Sequence, residues 1–388
     1  MTPDGEIASG YETVREAFAA AFAGLPTMGA ALAITRNGEP VVDLWGGVAD
    51  ARTGQAWTRD TATVIFSCTK GLVSILAARL VQEGRLDYDA PVAEYWPEFA
   101  HAGKGGALVR HVLAHRAGLS APREDLTSAD LVDWNAVTAS LARQEPLWEP
   151  GSGYAYHSIT HGWLVGEIVR RITGESVGEY FARTIAQPLG ADVWIGLPET
   201  HASRVAHLTV GASLRALTEQ QTRDAMPGVD WNRRAMTLGG ALPAELVSDD
   251  AGFNDPALRA AEIPGAGAIA TARALANVWS STITSTSGVR VLDDATLESA
   301  LAVQSDGEPV FPVPAPWPRW GMGFQLDSDA RRYLSAGSFG HDGAGGQVAF
   351  ADPGTGIGFA FLTNQMEAID DVRATRIVDA VRAVVAPM

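Results

Sequence analysis

The segment V-I-F-S-C-T-K-G-L, residues 64–72, places Ser67 three positions before Lys70. Lysine is rare in this chain: of 29 lysines and arginines, only Lys70 and Lys104 are lysines. In a helix, side chains three positions apart lie on one face, with Cβ atoms about 5–6 Å apart. The spacing therefore indicates a hydroxyl and an amine within reach of each other.

A serine and a lysine at this distance could perform nucleophilic catalysis. A serine hydroxyl is a poor nucleophile until a neighbouring base takes its proton, and a lysine can be that base when burial or nearby charge lowers its pKa. Arginine cannot replace it, because guanidinium does not lose its proton in proteins. At a helix N-terminus, free backbone N–H groups would also favour a developing anion. The structural alternative is that Ser67 is a helix N-cap and Lys70 a solvated side chain.

Two further segments combine glycines with side chains that can move protons. G-S-G-Y-A-Y-H-S-I-T-H, residues 151–161, is a glycine-rich turn before a helix, and a tyrosine there could relay a proton beside a lysine. F-G-H-D-G-A-G-G-Q-V, residues 339–348, is a strand whose glycines let the backbone approach a ligand closely. Its N–H groups could therefore serve an oxyanion hole.

These three motifs, in this order, resemble the serine β-lactamase-like superfamily, and they are most similar to class C β-lactamases, DD-peptidases and the family VIII carboxylesterases. The family's serine-x-x-lysine corresponds to residues 67–70. Its tyrosine-x-asparagine corresponds to Tyr156-x-Ser158. Its lysine-threonine-glycine, often histidine-x-glycine in the esterases, corresponds to His341-x-Gly343.

The resemblance extends over residues 28–365 and implies a serine hydrolase. It implies that Ser67 is the nucleophile, Lys70 its general base, and Tyr156 the group that exchanges protons with the leaving group and the attacking water. The backbone N–H groups of Ser67 and Ala344 would form the oxyanion hole. The implied reaction is a two-step acyl transfer through an acyl-enzyme, with water as the usual acceptor.

Two positions depart from the family pattern, and both concern substrate binding. Ser158 stands where the family's asparagine helps to orient a substrate amide, and His341 stands where its lysine helps to bind a carboxylate. We therefore expect Ser158, His341 and Gly343 to contribute to binding a small-molecule ester, and the chain to be a carboxylesterase. A β-lactamase- or DD-peptidase-like amide hydrolase, an acyltransferase and a non-catalytic binding member of the superfamily remain alternatives.

Apolar periodicity predicts the elements that position these motifs. Two apolar runs flank Asn37-Gly38, which predicts an antiparallel hairpin. Residues 67–83 have helical spacing and are followed by Gly84, a typical helix end. Other helical patterns occupy residues 10–24, 107–115, 159–172, 270–281 and 371–385, and strand patterns return at residues 320–326, 345–353 and 356–364.

Strand patterns at both ends of the chain and helical patterns between them predict an α+β fold. An antiparallel β-sheet flanked by helices would be built from both chain ends, residues 1–90 and 270–388. Residues 91–269 would form an inserted, mainly helical domain. The resemblance implies the same β-lactamase/transpeptidase-like architecture, with the site at the junction of the two domains.

Composition limits the partners. The formal net charge of −16 argues against nucleic acid and anionic membranes, and a single cysteine, Cys68, excludes an internal disulfide and a cysteine-based zinc site. The pairs His111/His115 and His157/His161 have chelating spacing, but they lack a zincin glutamate and an evident third ligand, so we expect neither metal nor cofactor. The absence of an export signal and of a membrane-length apolar run favours a cytoplasmic protein. The sequence leaves the oligomeric state open.

Two features of the sequence have no assigned part in this scheme. The long segment 222–268, rich in glycine, proline and aspartate, could be a lid over the site. Trp194, Trp231 or Trp320 could line an apolar acyl pocket, and the sequence does not choose among them.

Overall fold

The computed structural model describes residues 2–225, 227–368 and 371–386. Fourteen β-strands form within these ranges: β1 Asp4–Ile7, β2 Gly29–Arg36, β3 Glu39–Asp50, β4 Gln55–Ala56, β5 Thr63–Val64, β6 Val193–Trp194, β7 Thr209–Val210, β8 Ile269–Ala270, β9 Arg319–Trp320, β10 Gln325–Leu326, β11 Phe339–Gly343, β12 Gln347–Asp352, β13 Ile357–Thr363 and β14 Gln365–Met366.

Fifteen α-helices form within the same ranges: α1 Glu12–Ala20, α2 Cys68–Gln82, α3 Val92–Tyr95, α4 Val109–Leu113, α5 Ser128–Leu131, α6 Trp134–Arg143, α7 Thr160–Thr173, α8 Val177–Phe181, α9 Gln187–Leu189, α10 Ala212–Arg223, α11 Trp231–Met236, α12 Pro256–Ala260, α13 Ala272–Ser281, α14 Asp294–Leu301 and α15 Arg373–Val385. None of the described helices is long and apolar enough to cross a membrane.

The main sheet is antiparallel, with the strand order β1-β3-β2-β13-β12-β11-β10-β9. Strands from the two ends of the chain meet at its centre, where β2 pairs with β13. The β2–β3 hairpin turns at Asn37 and Gly38, whose φ angles are 52° and 85°. Asparagine and glycine suit such a turn because they adopt positive φ at low cost. The predicted hairpin and the α+β fold class are confirmed.

Helices cover both faces of the sheet and enclose two apolar cores. On one face, α1 and α15 pack together, and on the other face α13 packs against β2 and β13, and α2 packs against β11. Strand β13 is buried along its whole length. Its successive side chains therefore enter the two cores alternately: Phe359 and Phe361 face α1 and α15, whereas Ala360 and Leu362 belong to the larger core.

Helix α2 lies inside the larger core and carries the first motif. Most of its residues are buried all round, since its neighbours include α7, β11 and α14. Its C-cap is Glu83, which is followed by Gly84 with a φ of 68°, and the C-cap of α7 is Gly174 with a φ of 75°. The predicted end of α2 at Gly84 is confirmed, and both helices end this way because glycine tolerates the left-handed conformation that closes a helix.

The strand pattern of residues 320–326 is interrupted in the structure. Between β9 and β10, Gly323 has a φ of 82°, and a Cβ atom there would lie 2.1 Å from Ser74 Oγ on α2. The chain thus leaves the extended conformation in order to approach α2. The segment 222–268 contains the short helices α11 and α12 joined by turns. The division of the chain into two domains stays a prediction.

The buried Asn364 joins β13 to two other parts of the fold. Its Nδ2 donates to the carbonyl oxygens of Val48 and Ala49 at 3.0 Å and of His207 at 3.1 Å. Its Oδ1 accepts a hydrogen bond of 2.8 Å from the Gly29 N–H. The side chain is 0% exposed, so no water would replace these bonds if the amide were removed.

We expect Asn364→Ala to lower the free energy of unfolding by about 3 kcal/mol, because it leaves several buried backbone groups without a partner. Urea unfolding measures the change. The control is Asn135→Ala on the exposed face of α6, which should change stability by less than about 0.5 kcal/mol. Equal effects of the two substitutions would contradict the assignment of Asn364 as a structural tie.

Candidate active site

Ser67 lies at the N-cap of α2 and is partly exposed. Its Oγ is 3.0 Å from Nζ of Lys70, one helical turn further on. The preceding residue, Phe66, has a φ of 44°, which is rare for a bulky side chain and costs conformational energy. The Phe66 ring is fully buried and packs edge-on against Phe253 at 5.5 Å. Core packing therefore holds the tight turn that presents Ser67.

The Lys70 amine is removed from water and has neutral partners. The side chain is 0% exposed, and Nζ donates to the carbonyl oxygens of Ser158 at 2.5 Å and Gly265 at 2.7 Å. Burial lowers the pKa of Lys70 well below its ordinary value. In the neutral amine, two N–H bonds can serve the two carbonyls, which leaves the nitrogen lone pair for the Ser67 hydroxyl.

Tyr156 completes the group around Ser67. Its ring centroid is 4.9 Å from Lys70 Nζ, and it stacks on Trp320 at 5.3 Å. Burial raises the pKa of Tyr156, against the opposing effect of its hydrogen bond with the Ser67 side chain. The phenol is therefore protonated at neutral pH. The nearby Tyr154 is directed elsewhere, since its hydroxyl donates to the Gly307 carbonyl.

The hairpin β11–β12 lies against the segment that precedes α2. Cys68 Sγ donates to the His341 carbonyl at 3.1 Å, and Gln347 Nε2 donates to the Val64 carbonyl at 2.9 Å. A Cβ atom on Gly343 would lie 2.6 Å from the Ile65 carbonyl oxygen, so this close approach requires glycine. Ala344 follows Gly343 at the tip of the hairpin.

His341, the histidine of the third motif, lies close to Tyr156 and is neutral. The His341 ring centroid is 6.1 Å from that of Tyr156 and 5.3 Å from that of Trp320. Its Nδ1 donates to the Asp342 carbonyl at 2.7 Å, and burial lowers its pKa to about 3. The neutral imidazole offers a substrate no positive charge.

Ser158 is buried beside Lys70, and its backbone carbonyl accepts the hydrogen bond from Lys70 Nζ.

Three more imidazoles are buried behind Tyr156. The His115 ring centroid is 4.9 Å from those of Tyr156 and His161 and 5.7 Å from that of His157. His157 Nδ1 faces the Ala155 carbonyl at 2.7 Å, and its Nε2 accepts from the Leu119 N–H at 3.2 Å. Burial lowers its pKa to about 4.

The described histidines, cysteine and carboxylates include no group of three or more that could hold a metal ion. The four spaced histidines of the sequence do not form two separate pairs, because His115, His157 and His161 share one buried cluster. His111 lies apart from that cluster and accepts from the Leu108 N–H through Nδ1 at 3.3 Å.

The structure adds site residues that the motifs did not indicate. The Gly265 carbonyl holds Lys70, and its segment approaches α7 so closely that a Cβ atom on Gly162 would lie 1.9 Å from the Gly265 nitrogen. In the sequence, the glycine-rich run I-P-G-A-G-A at residues 263–268 could have indicated this close approach of the backbone. Trp320 stacks on Tyr156, whereas Trp194 stacks on His201 at 4.6 Å and Trp231 on Phe311 at 6.3 Å.

Several known proteins are similar to this chain in sequence and in fold over most of their length. The Beta-lactamase family matches residues 17–383. The Esterase/beta-lactamase LipL of Mycobacterium tuberculosis (strain ATCC 25618 / H37Rv) is 34% identical over 367 residues, which cover 92% of this chain and 81% of LipL. A crystal structure of a family VIII carboxylesterase has a TM-score of 0.87 and 34% identity, with 99% of this chain and 100% of that chain covered. A penicillin-binding protein homologue from Caulobacter crescentus has a TM-score of 0.86 and 36% identity, with the same coverage.

The buried imidazoles predict a loss of stability in acid. The unfolded chain protonates a histidine near pH 6.5, whereas folded His157 resists protonation until about pH 4. The free energy of unfolding should therefore fall as the pH drops below about 6.5, by on the order of 3 kcal/mol at pH 4 for His157 alone. Above about pH 6.5 this group should have no effect.

Urea unfolding at pH 7, 6 and 5 measures this slope. His157→Gln, which can still donate and accept hydrogen bonds, should make the slope shallower. His101→Gln, a change at an exposed position, should leave it unchanged. Equal slopes for the wild type and His157→Gln would contradict the assignment.

Proposed function

This chain belongs to the Beta-lactamase family, and we propose that it is a serine carboxylesterase that cleaves small carboxylic esters through an acyl-enzyme on Ser67. The 34% identity with LipL, which is named an esterase/beta-lactamase, and with a family VIII carboxylesterase supports this function. The observation that carries the proposal is the environment of Lys70. Its buried amine is held by two carbonyls and is 3.0 Å from Ser67 Oγ.

In the first step, the neutral Lys70 amine takes the proton of the Ser67 hydroxyl while Oγ attacks the ester carbonyl carbon. The negative charge that develops on the carbonyl oxygen is stabilised by the backbone N–H groups of Ser67 and Ala344. The C–O bond to the alcohol then breaks, and the acyl group stays on Ser67. Tyr156, which is protonated at neutral pH, donates a proton to the departing alkoxide, and Lys70 returns its proton to the phenol.

In the second step, water attacks the acyl-enzyme. The neutral Lys70 amine accepts a proton from the water, either directly or through Tyr156, whose phenol takes the water proton as it passes its own proton to Lys70. The water oxygen bonds to the acyl carbon, and the same two N–H groups stabilise the second oxyanion. The acyl–Oγ bond breaks, Ser67 regains a proton, and the carboxylic acid leaves. The chain's own groups supply every proton transfer in this scheme. A binding protein would not need an ionisable lysine in this position, which argues against the non-catalytic alternative.

β-Lactam hydrolysis is the second candidate, because LipL is named for both activities and the chain resembles a penicillin-binding protein homologue. Two residues favour esters. His341 is neutral, so it holds a substrate carboxylate less firmly than a lysine would. Ser158 offers one hydroxyl oxygen, whereas an amide side chain has separate donor and acceptor atoms that could hold both sides of a substrate amide. An ester tolerates weaker orientation because its leaving group is better than that of an amide.

The expected cytoplasmic location stays a prediction.

We expect Lys70→Arg to abolish ester hydrolysis nearly as completely as Ser67→Ala or Lys70→Ala, because guanidinium retains the charge but does not lose its proton. Tyr156→Phe should lower turnover by about 10²-fold or more. The assay is hydrolysis of p-nitrophenyl butyrate, expressed per folded protein. Lys104→Arg at the other buried lysine, whose Nζ also donates to carbonyl oxygens, is the matched control and should retain kcat. An active Lys70→Arg enzyme would disprove the role of Lys70 as the base.

We also expect kcat/KM for p-nitrophenyl butyrate to exceed that for nitrocefin by at least about a hundredfold in one buffer. This ratio corresponds to about 2.7 kcal/mol in transition-state binding. Equal or reversed values would replace the esterase assignment by a β-lactamase and leave the Ser67, Lys70 and Tyr156 roles in place. Ser67→Ala is the control and should remove both activities.

A further inference from the structure

The tip of the β11–β12 hairpin is held by an arginine from the C-terminal helix. Gly343 pairs with Gln347, so residues 344–346 form the tip. Arg373 Nη2 donates to the Gly345 carbonyl oxygen at 2.7 Å. This carbonyl is one residue from Ala344, whose N–H is assigned to the oxyanion hole.

The Arg373 guanidinium uses all five of its N–H bonds. Nε and Nη2 donate to the two carboxylate oxygens of Asp371 at 2.8 and 2.7 Å. Nη1 donates to the Gln365 carbonyl and to Met28 Sδ, both at 3.1 Å. The bond to Gly345 is the fifth. Because a guanidinium is planar and each donor has a partner, its orientation is fixed.

The placement of Arg373 is unfavourable for an isolated arginine. It is 7% exposed and is the first residue of α15, where the helix dipole disfavours a cation. Asp371 offsets the charge, and the side chains of both residues are almost completely buried. A buried ion pair of this kind is weak evidence for added stability. Added stability alone therefore does not explain this placement.

The same ion pair also contacts the next residue of the tip. Gly346 has a φ of 97°, and a Cβ atom there would lie 2.0 Å from Asp371 Oδ2 and 2.7 Å from Arg373 Nη2. The absence of a side chain at Gly346 thus lets the ion pair reach the backbone. Two successive residues after Ala344 are in contact with the pair.

We propose that Arg373 is a positioning residue for the oxyanion hole, which acts through the Gly345 carbonyl to hold the peptide that carries the Ala344 N–H. The inference rests on the proposed function, since it takes Ala344 as an oxyanion donor. An oxyanion donor contributes only when it is directed at the position of the developing charge. Because small displacements in an active site are costly in rate, loosening the tip should weaken transition-state binding more than substrate binding.

The test compares Arg373→Lys, Arg373→Gln and Asp371→Asn with Arg382→Gln. Arg382 lies on the same helix and also combines an ion pair, with Asp379, and a bond to a carbonyl, that of Tyr333. Within the described part of the chain, neither of these Arg382 hydrogen bonds reaches residues 344–346 of the hairpin tip. Active sites are counted by the end point of fluorophosphonate labelling, so that unfolded protein does not lower kcat. The readouts are kcat for p-nitrophenyl butyrate and the affinity for phenylboronic acid, which forms a tetrahedral adduct with the serine.

We expect the Arg373 variants to lose at least about tenfold in kcat and a similar factor in boronate affinity, up to the roughly 10²–10³-fold that follows complete loss of an oxyanion donor. Asp371→Asn should lose less, and Arg382→Gln should stay within about twofold of the wild type. If Arg373→Gln does not fold, Arg373→Lys and Asp371→Asn decide the question. Unchanged kcat per labelled site and unchanged boronate affinity in those variants would overturn the proposal, even if the melting temperature falls.

The same measurements separate a failure of the Arg373 proposal from a failure of the proposed carboxylesterase function. A wild-type protein that binds phenylboronic acid but hydrolyses no ester would overturn the carboxylesterase assignment. The boronate affinities of the same variants would still decide whether Arg373 positions the oxyanion hole.

Discussion

The site depends on a buried amine that has no anionic hydrogen-bond partner among the described residues. Moving an ammonium ion out of water costs several kcal/mol unless an opposite charge compensates it, and the described hydrogen-bond partners of Lys70 Nζ are a hydroxyl and two carbonyl oxygens. The folded protein therefore favours the neutral amine. Burial disfavours the charged form of Lys70 and thereby makes its amine a base for Ser67 at neutral pH.

The fold supplies this environment by bringing distant segments together at the N-terminus of α2. Ser158 comes from the turn before α7 and Gly265 from the turn before β8, while the hairpin β11–β12 closes the site from the sheet. Tight turns and glycines allow these approaches, as at Gly343 and Gly265. The histidines around Tyr156 contribute bulk without charge, because burial keeps His157 and His341 neutral.

Local features of the fold and site could be predicted from the sequence. The Ser67–Lys70 spacing, the Asn37-Gly38 turn and the end of α2 each depend on a few neighbouring residues. The Lys70 partners could not be predicted, because Ser158 and Gly265 are 88 and 195 positions away and contribute backbone carbonyls. The break between β9 and β10 also arises from a tertiary contact, that of Gly323 with α2. Arg373 carries no motif that would connect it with Ala344.

The ionisation state of Lys70 is the central claim, and the chain allows a direct measurement of it. Because Lys70 and Lys104 are the only lysines, protein labelled with ¹³C at lysine Cε gives two NMR signals, which Lys104→Arg assigns. Burial lowers the pKa of Lys104 to about 8. We predict that the Lys70 signal is that of a neutral amine at pH 7 and titrates well below the ordinary value of 10.5. A Lys70 signal that remains that of an ammonium above pH 9, in an enzyme active at pH 7, would contradict its role as the base.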